Sequence, residues 1–164
     1  MKRAFGATLF AAVTLLAGCG LTPKHTITAA HAVRVMDGYL QETIRSVPSS
    51  LRFSQRAADT EYTGGCTKYP VGDFFTGQVQ PSLTYTAKTT HPEEAISFLN
   101  GTASHWRARN ASVESQPDGY RIQPNNSDYK LAVFYYAEAH LVELLGVLDA
   151  CIWPNGTPGP HDNP

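Results

Sequence analysis

Six histidines, fourteen acidic residues and three cysteines are the side chains here that could hold a metal, move a proton or attack a bond. The histidines are dispersed. His25 and His161 lie towards the two ends, His31 and His91 at expected helix starts, and His105 beside Trp106. His140 and Glu143 come nearest to a ligand pair, and a helix would set them on one face but a strand on opposite faces. A zinc site needs three or four converging ligands, and the HExxH pattern is absent. GxSxG, SxxK and a glycine-rich phosphate loop are absent too. Glu93-Glu94 imitate paired catalytic carboxylates, but acids in a first helical turn serve the cap and the helix dipole. The chain therefore reads as a non-enzyme, with no catalytic residue, no metal and no cofactor.

The cysteines are more informative. Met1-Lys2-Arg3 is a basic start, Ala4 to Leu15 is an apolar run, and Leu16-Ala17-Gly18-Cys19 follows at once, which is the layout of a secretory signal. The last four residues resemble the bacterial lipobox, whose cysteine thiol receives a diacylglyceryl group before the peptide bond ahead of it is cut. On that resemblance residues 1–18 are a lipoprotein signal peptide, Cys19 is the lipidation site, and residues 19–25 are a lipidated tether. Two or more acyl chains anchor stably where one is marginal. The expected location is the cell membrane, held through the lipid and facing the extracellular or periplasm-like side.

With Cys19 so used, Cys66 and Cys151 remain as a pair in an oxidising compartment, where a disulfide is expected. No CxxC is present and no histidine lies within four residues of either cysteine, so the pair reads as structural. The bridge would close a loop of about 85 residues, worth about 4.5 kcal/mol in the chain-entropy model.

Charge excludes one class of partner. Thirteen basic residues face fourteen acidic ones, a formal net charge of -1. Cutting after residue 18 removes Lys2 and Arg3 but no acid, which makes the mature chain more acidic. Such a protein has no electrostatic reason to seek nucleic acid. The 164 residues suit one ordinary domain, which falls at 26–152, ahead of a flexible Pro/Gly-rich tail at 153–164.

The elements that must position these residues are legible in part. A first helix starts near Thr26 or Thr28 and stops before Pro48, with Val33, Met36, Leu40, Ile44 and Val47 in one apolar stripe. Leu51 and Phe53 suggest a short strand, and residues 57–77 a long loop pinned by Cys66. Alternation from Val79 to Ala87 predicts a half-buried strand beginning at an edge, because of Pro81. Thr90-His91-Pro92-Glu93 reads as a capping box opening a second helix, whose buried face carries Ala95, Leu99, Ala103 and Trp106 with Ile96 beside it. Gly101 should weaken that helix by about 1 kcal/mol. Turns at 117–119 and 124–127 divide strands at 110–115, 120–123 and 129–136. For residues 140–149, periodicity through Leu141, Leu144, Leu145 and Leu148 favours a helix, yet a missing strand there would leave a long apolar edge.

The layout resembles a group of small actinobacterial lipoproteins of unknown function, the LppA-like group among them. The residues that carry it are Leu16 to Cys19, Cys66, Asp118-Gly119-Tyr120, and Cys151 followed by Ile152-Trp153-Pro154. The resemblance implies a final strand at 140–149 and a Cys66–Cys151 bridge, and it carries over no catalytic residue.

The expected fold is α+β, with two helices on one face of an antiparallel sheet of about five or six strands and one disulfide. Strand 129–136 is apolar on both faces, so it is either covered twice or lines a binding surface. Tyr129, Phe134 and Tyr136, with Phe74 and Phe75 from the long loop, are the candidate ligand or partner surface. The expected function is a membrane-anchored envelope lipoprotein that binds or scaffolds an envelope protein without enzymatic activity. The alternative is a carrier of a hydrophobic small molecule or lipid between sheet and helices.

Overall fold

The computed structural model describes residues 27–59, Cys66 and residues 77–157, without the side chains of residues 56 and 57. The residues read as a lipobox with Cys19, the expected tether at 19–25, Phe74 and Phe75 lie outside the described residues.

Thr28 caps the first helix, α1 (Ala29–Ser46), by accepting a hydrogen bond from the His31 backbone N–H. Its buried stripe is Ala29, Ala32, Met36, Leu40 and Thr43, while Val33 and Ile44 sit at its border. The strand after it, β1 (Ser54–Asp59), begins later than Leu51–Phe53 and reaches into the segment expected as loop. Leu51 is buried and Phe53 stacks on Phe98 at 4.9 Å, so these two serve the core rather than a ladder.

Strand β2 (Ser82–Lys88) buries every second residue, Leu83, Tyr85 and Ala87. It is not an edge strand. Pro81 lies just outside its ladder and lends only a carbonyl, which accepts from the Leu148 N–H, so its missing N–H costs nothing.

Helix α2 (Pro92–Ala108) opens differently from the expected box. His91, not Thr90, is the N-cap, and its side chain makes no capping bond. Thr89 accepts from the His91 N–H at 3.0 Å and donates to Glu94 at 3.2 Å, while Ser50 also donates to Glu94. The reason is tertiary. The Thr89 N–H is bonded to the His140 carbonyl, which ties it to the neighbouring strand connection and makes it the fixed point for the turn.

Along α2 the buried face is Ala95, Phe98, Leu99, Thr102, Ala103 and Trp106. Ile96, expected beside that face, is 53% exposed. Gly101 has a packing reason, since a Cβ there would sit 2.6 Å from Val47 Cγ1 at the end of α1.

Four strands follow: β3 (Ser112–Gln116), β4 (Gly119–Gln123), β5 (Tyr129–Tyr136) and β6 (Leu141–Leu148). The sheet order is β1-β2-β6-β5-β4-β3, antiparallel throughout. β6 is thus central, and the helical spacing of its leucines is a coincidence of two faces. Val142, Leu144 and Leu148 point inward with Gly146, while Leu141 and Leu145 point outward.

Both helices cover the same sheet face. The core between the layers is filled by Trp106, Phe98, Met36, Leu40, Leu131 and Leu144, all 2% exposed or less. Trp106 donates its indole N–H to Thr43 at 3.0 Å, and Glu42 accepts from His105 at 3.0 Å and Arg109 at 3.1 Å, which joins α1 to α2.

The Cys66–Cys151 disulfide is present, with Cα atoms 5.6 Å apart. Beside it Val79 bridges Ile152, and the Pro154 carbonyl accepts from the Ala29 N–H at 3.0 Å. The packed domain therefore runs past 152 into the first tail residues. An unpaired N–H at a helix start needs an acceptor, and the chain leaving Cys151 supplies one.

Candidate functional site

β5 sends alternate side chains to opposite faces, and this divides the candidate residues. Tyr129 points inward with Leu131, Val133 and Tyr135, as their cross-strand partners Leu148, Gly146, Leu144 and Val142 require. Its ring lies 5.9 Å from that of Tyr39, and burial raises its hydroxyl above the ordinary tyrosine pKa. Tyr129 belongs to the core.

Phe134 and Tyr136 point outward, their ring centroids 6.2 Å apart. Tyr136 is 40% exposed and its hydroxyl donates weakly to Glu143 at 3.4 Å. Burial first, and the Glu143 carboxylate second, raise its ionisation above the ordinary range. The same face continues through cross-strand neighbours, with Ala132 opposite Leu145, Lys130 opposite Val147 and Tyr136 opposite Leu141. Thr84 and Thr86 of β2 carry it further, opposite Leu145 and Glu143. None of the described elements packs on this outer face. Among the described residues it is a surface with an apolar centre and polar margins over β5 and β6.

A second concavity lies on the helix side, where α2 stands off the β3–β4 hairpin. The cleft is about 330 Å³, lined by Ile96, Asn100, Ser115, Pro117, Tyr120 and Tyr135 among others. Tyr120 donates to the Asn100 side-chain oxygen at 2.8 Å, and the Arg107 guanidinium lies 5.6 Å from the Tyr120 ring centre. Gly119 is needed here, because a Cβ would meet the Val133 carbonyl oxygen at 1.9 Å. The Tyr135 hydroxyl is shielded from solvent and has no hydrogen-bond partner among the described residues. Burying a hydroxyl so costs about 1–3 kcal/mol.

Sequence reasoning missed this cleft. Ile96 is out of phase with the Ala95–Leu99–Ala103–Trp106 stripe, the one local sign that it faces outward. Nothing local links Asn100 to Tyr120.

The described histidines do not converge. His105 is held by Glu42 between the helices, His91 neighbours Glu93 at the start of α2, and His140 sits in the β5–β6 connection with φ 50°. No group of three or more His, Cys, Asp or Glu that could hold a metal ion occurs among the described residues. No described helix is long and apolar enough to cross a membrane.

Compared with protein-family models, with curated proteins and with solved structures, the chain matches none.

Proposed function

We propose that this chain is a lipid-anchored bacterial envelope lipoprotein that acts as a non-enzymatic binding module, presenting the outer face of β5 and β6 to an envelope partner. The observation that carries the binding part is the outward pair Phe134 and Tyr136, which with Leu141 and Val147 prolongs the Ala132–Leu145 centre of a sheet surface whose margins are polar. Apolar side chains grouped on an open face mark interaction surfaces more than scattered ones do. The anchor rests on the lipobox resemblance and Cys19.

The carrier alternative has less support. The space between sheet and helices is occupied by Trp106, Phe98, Met36 and Leu131, which a ligand would have to displace.

Two measurements test the proposal. Cys19→Ala should release the protein from the membrane fraction, and a mutant that stays firmly bound defeats the anchor. A photo-crosslinker at Tyr136 in cells should give a discrete adduct that Leu145→Asp abolishes while the fold, read by circular dichroism, persists. An adduct indifferent to Leu145→Asp, or none, defeats the outer face. A non-protein mass retained through native mass spectrometry would favour the carrier instead.

A further inference from the structure

The two edges of the sheet are built differently. At the β1 edge the register shifts between Gln55 and Ala57, and such an irregularity twists a strand away from new partners. At the other edge, β3 pairs with β4 in unbroken register from Ser112↔Gln123 to Gln116↔Gly119. Its sequence Ser-Val-Glu-Ser-Gln contains no proline and no lysine, and none of the described strands pairs with its free side. Of the devices that blunt an edge, β3 lacks proline, lysine and a bulge, and its one charge is Glu114.

Both faces of this edge carry concavities. On the helix side the α2 cleft reaches Ser115 and Gln116. On the outer side a smaller hollow of about 170 Å³ is lined by Ser112 and Glu114 of β3 with Arg121, Gln123 and Lys130. An extended chain added to β3 would alternate its side chains between the two, which is how strand addition combines backbone bonding with side-chain selection.

We infer that β3 is the site where an extended peptide segment of another protein adds as a seventh strand, with a basic residue opposite Glu114 and apolar residues on either side of it. Charge sets this choice. Glu114 stands opposite Arg121 in the ladder, yet neither forms an ion pair among the described residues. Glu114 is the outermost charge of the row Glu114, Arg121, Ala132, Leu145. A cation placed directly across from it is favourable, and an anion is not. A second copy pairing symmetrically about Glu114 would set the two carboxylates opposite each other, which disfavours self-association. The flanking residues of the peptide would point to the helix side, where Ile96 stands exposed above the cleft beside Tyr120 and Asn100.

The proposal rests on the reading of the chain as a binding module and defines its partner chemically, since the row through Arg121 joins β3 to the outer face. The test uses the full purified chain and a fluorescent peptide with Val-Lys-Val between threonine pairs. Saturable binding is expected, with amide exchange slowed in β3 and unchanged in β1. Replacing the central lysine by glutamate should weaken binding about fivefold, and Glu114→Lys should invert that preference. Glu114→Gln should remove the preference without inverting it, so the inference stays testable if the lysine variant folds poorly. Absence of saturable binding, equal affinity for both peptides, or protection at β1 overturns it. So does a dimer formed through β3 without peptide. Leu145→Asp should leave peptide binding intact, so failure here and failure of the outer-face reading are told apart.

Discussion

The two faces of β5 are made of similar residues and live in different surroundings. Inward, Leu131 and Val133 belong to the core beneath the helices and are almost wholly buried. Outward, Phe134 is half-buried and Tyr136 is exposed, and no described helix packs above them. Composition did not make this difference. What differs is whether a helix lies above, so apolar side chains on the two sides contribute unequally to stability, and among the described elements only the inner side is covered.

The largest expected effect tests that contrast directly. Leu144→Ala, inward on β6, should destabilise by about 2–5 kcal/mol in denaturant unfolding. Leu145→Ala, its outward neighbour, should cost under about 1 kcal/mol. Equal losses would mean that the outer face is covered and would break the comparison.

Next comes the tie that holds the end of the core. Cys66→Ser together with Cys151→Ser should cost about 2–5 kcal/mol, read as a lower midpoint in the same assay. Smaller still, Thr43→Val would leave the Trp106 indole N–H without its acceptor and cost about 1–3 kcal/mol.

Tyrosine ionisation sharpens the contrast without relying on stability. Tyr85 and Tyr129 inward and Tyr136 outward all ionise above the ordinary tyrosine range, chiefly because burial disfavours the phenolate. A folded-state pKa raised in this way leaves stability intact below the ordinary value near 10.0 and drains it as pH rises through the folded value. Glu143→Gln should lower the pKa of Tyr136, so that it ionises at lower pH, and leave Tyr85 and Tyr129 unmoved in an ultraviolet titration. The smallest expected effect is at His140, which holds a left-handed conformation at the turn between β5 and β6. His140→Gly should change stability by under about 1 kcal/mol, in the stabilising direction.

Much of the fold was legible in residue order. The stripe from Met36 to Val47 placed α1, and the alternation from Val79 to Ala87 placed β2 with its buried face. The turns at Pro117 and Pro124 separated β3, β4 and β5. The candidate surface was legible only by half. Phe134 and Tyr136 do share the outer face, but Tyr129 is a core residue, since a strand apolar on both sides gives no sign of which side will be covered. The α2 cleft was not legible, because Asn100 and Tyr120 meet across a helix–sheet gap that no local period encodes.

By itself the sequence determined the slightly acidic charge balance, the capped and striped α1 and an α+β division of the chain. These follow from composition, residue chemistry and contacts within a few positions. The Cys66–Cys151 pairing was expected only with Cys19 set aside and is given by the structure. Tertiary structure decided that 141–148 is a central strand, because β2 and β5 offer it hydrogen bonds on both sides and its leucines suit either a helix or a two-faced strand. It also moved the cap of α2 to the Thr89–Glu94 pair and turned Ile96 to solvent. Among the described strands it left β3 as a regular edge, because these outcomes depend on neighbours distant in the chain.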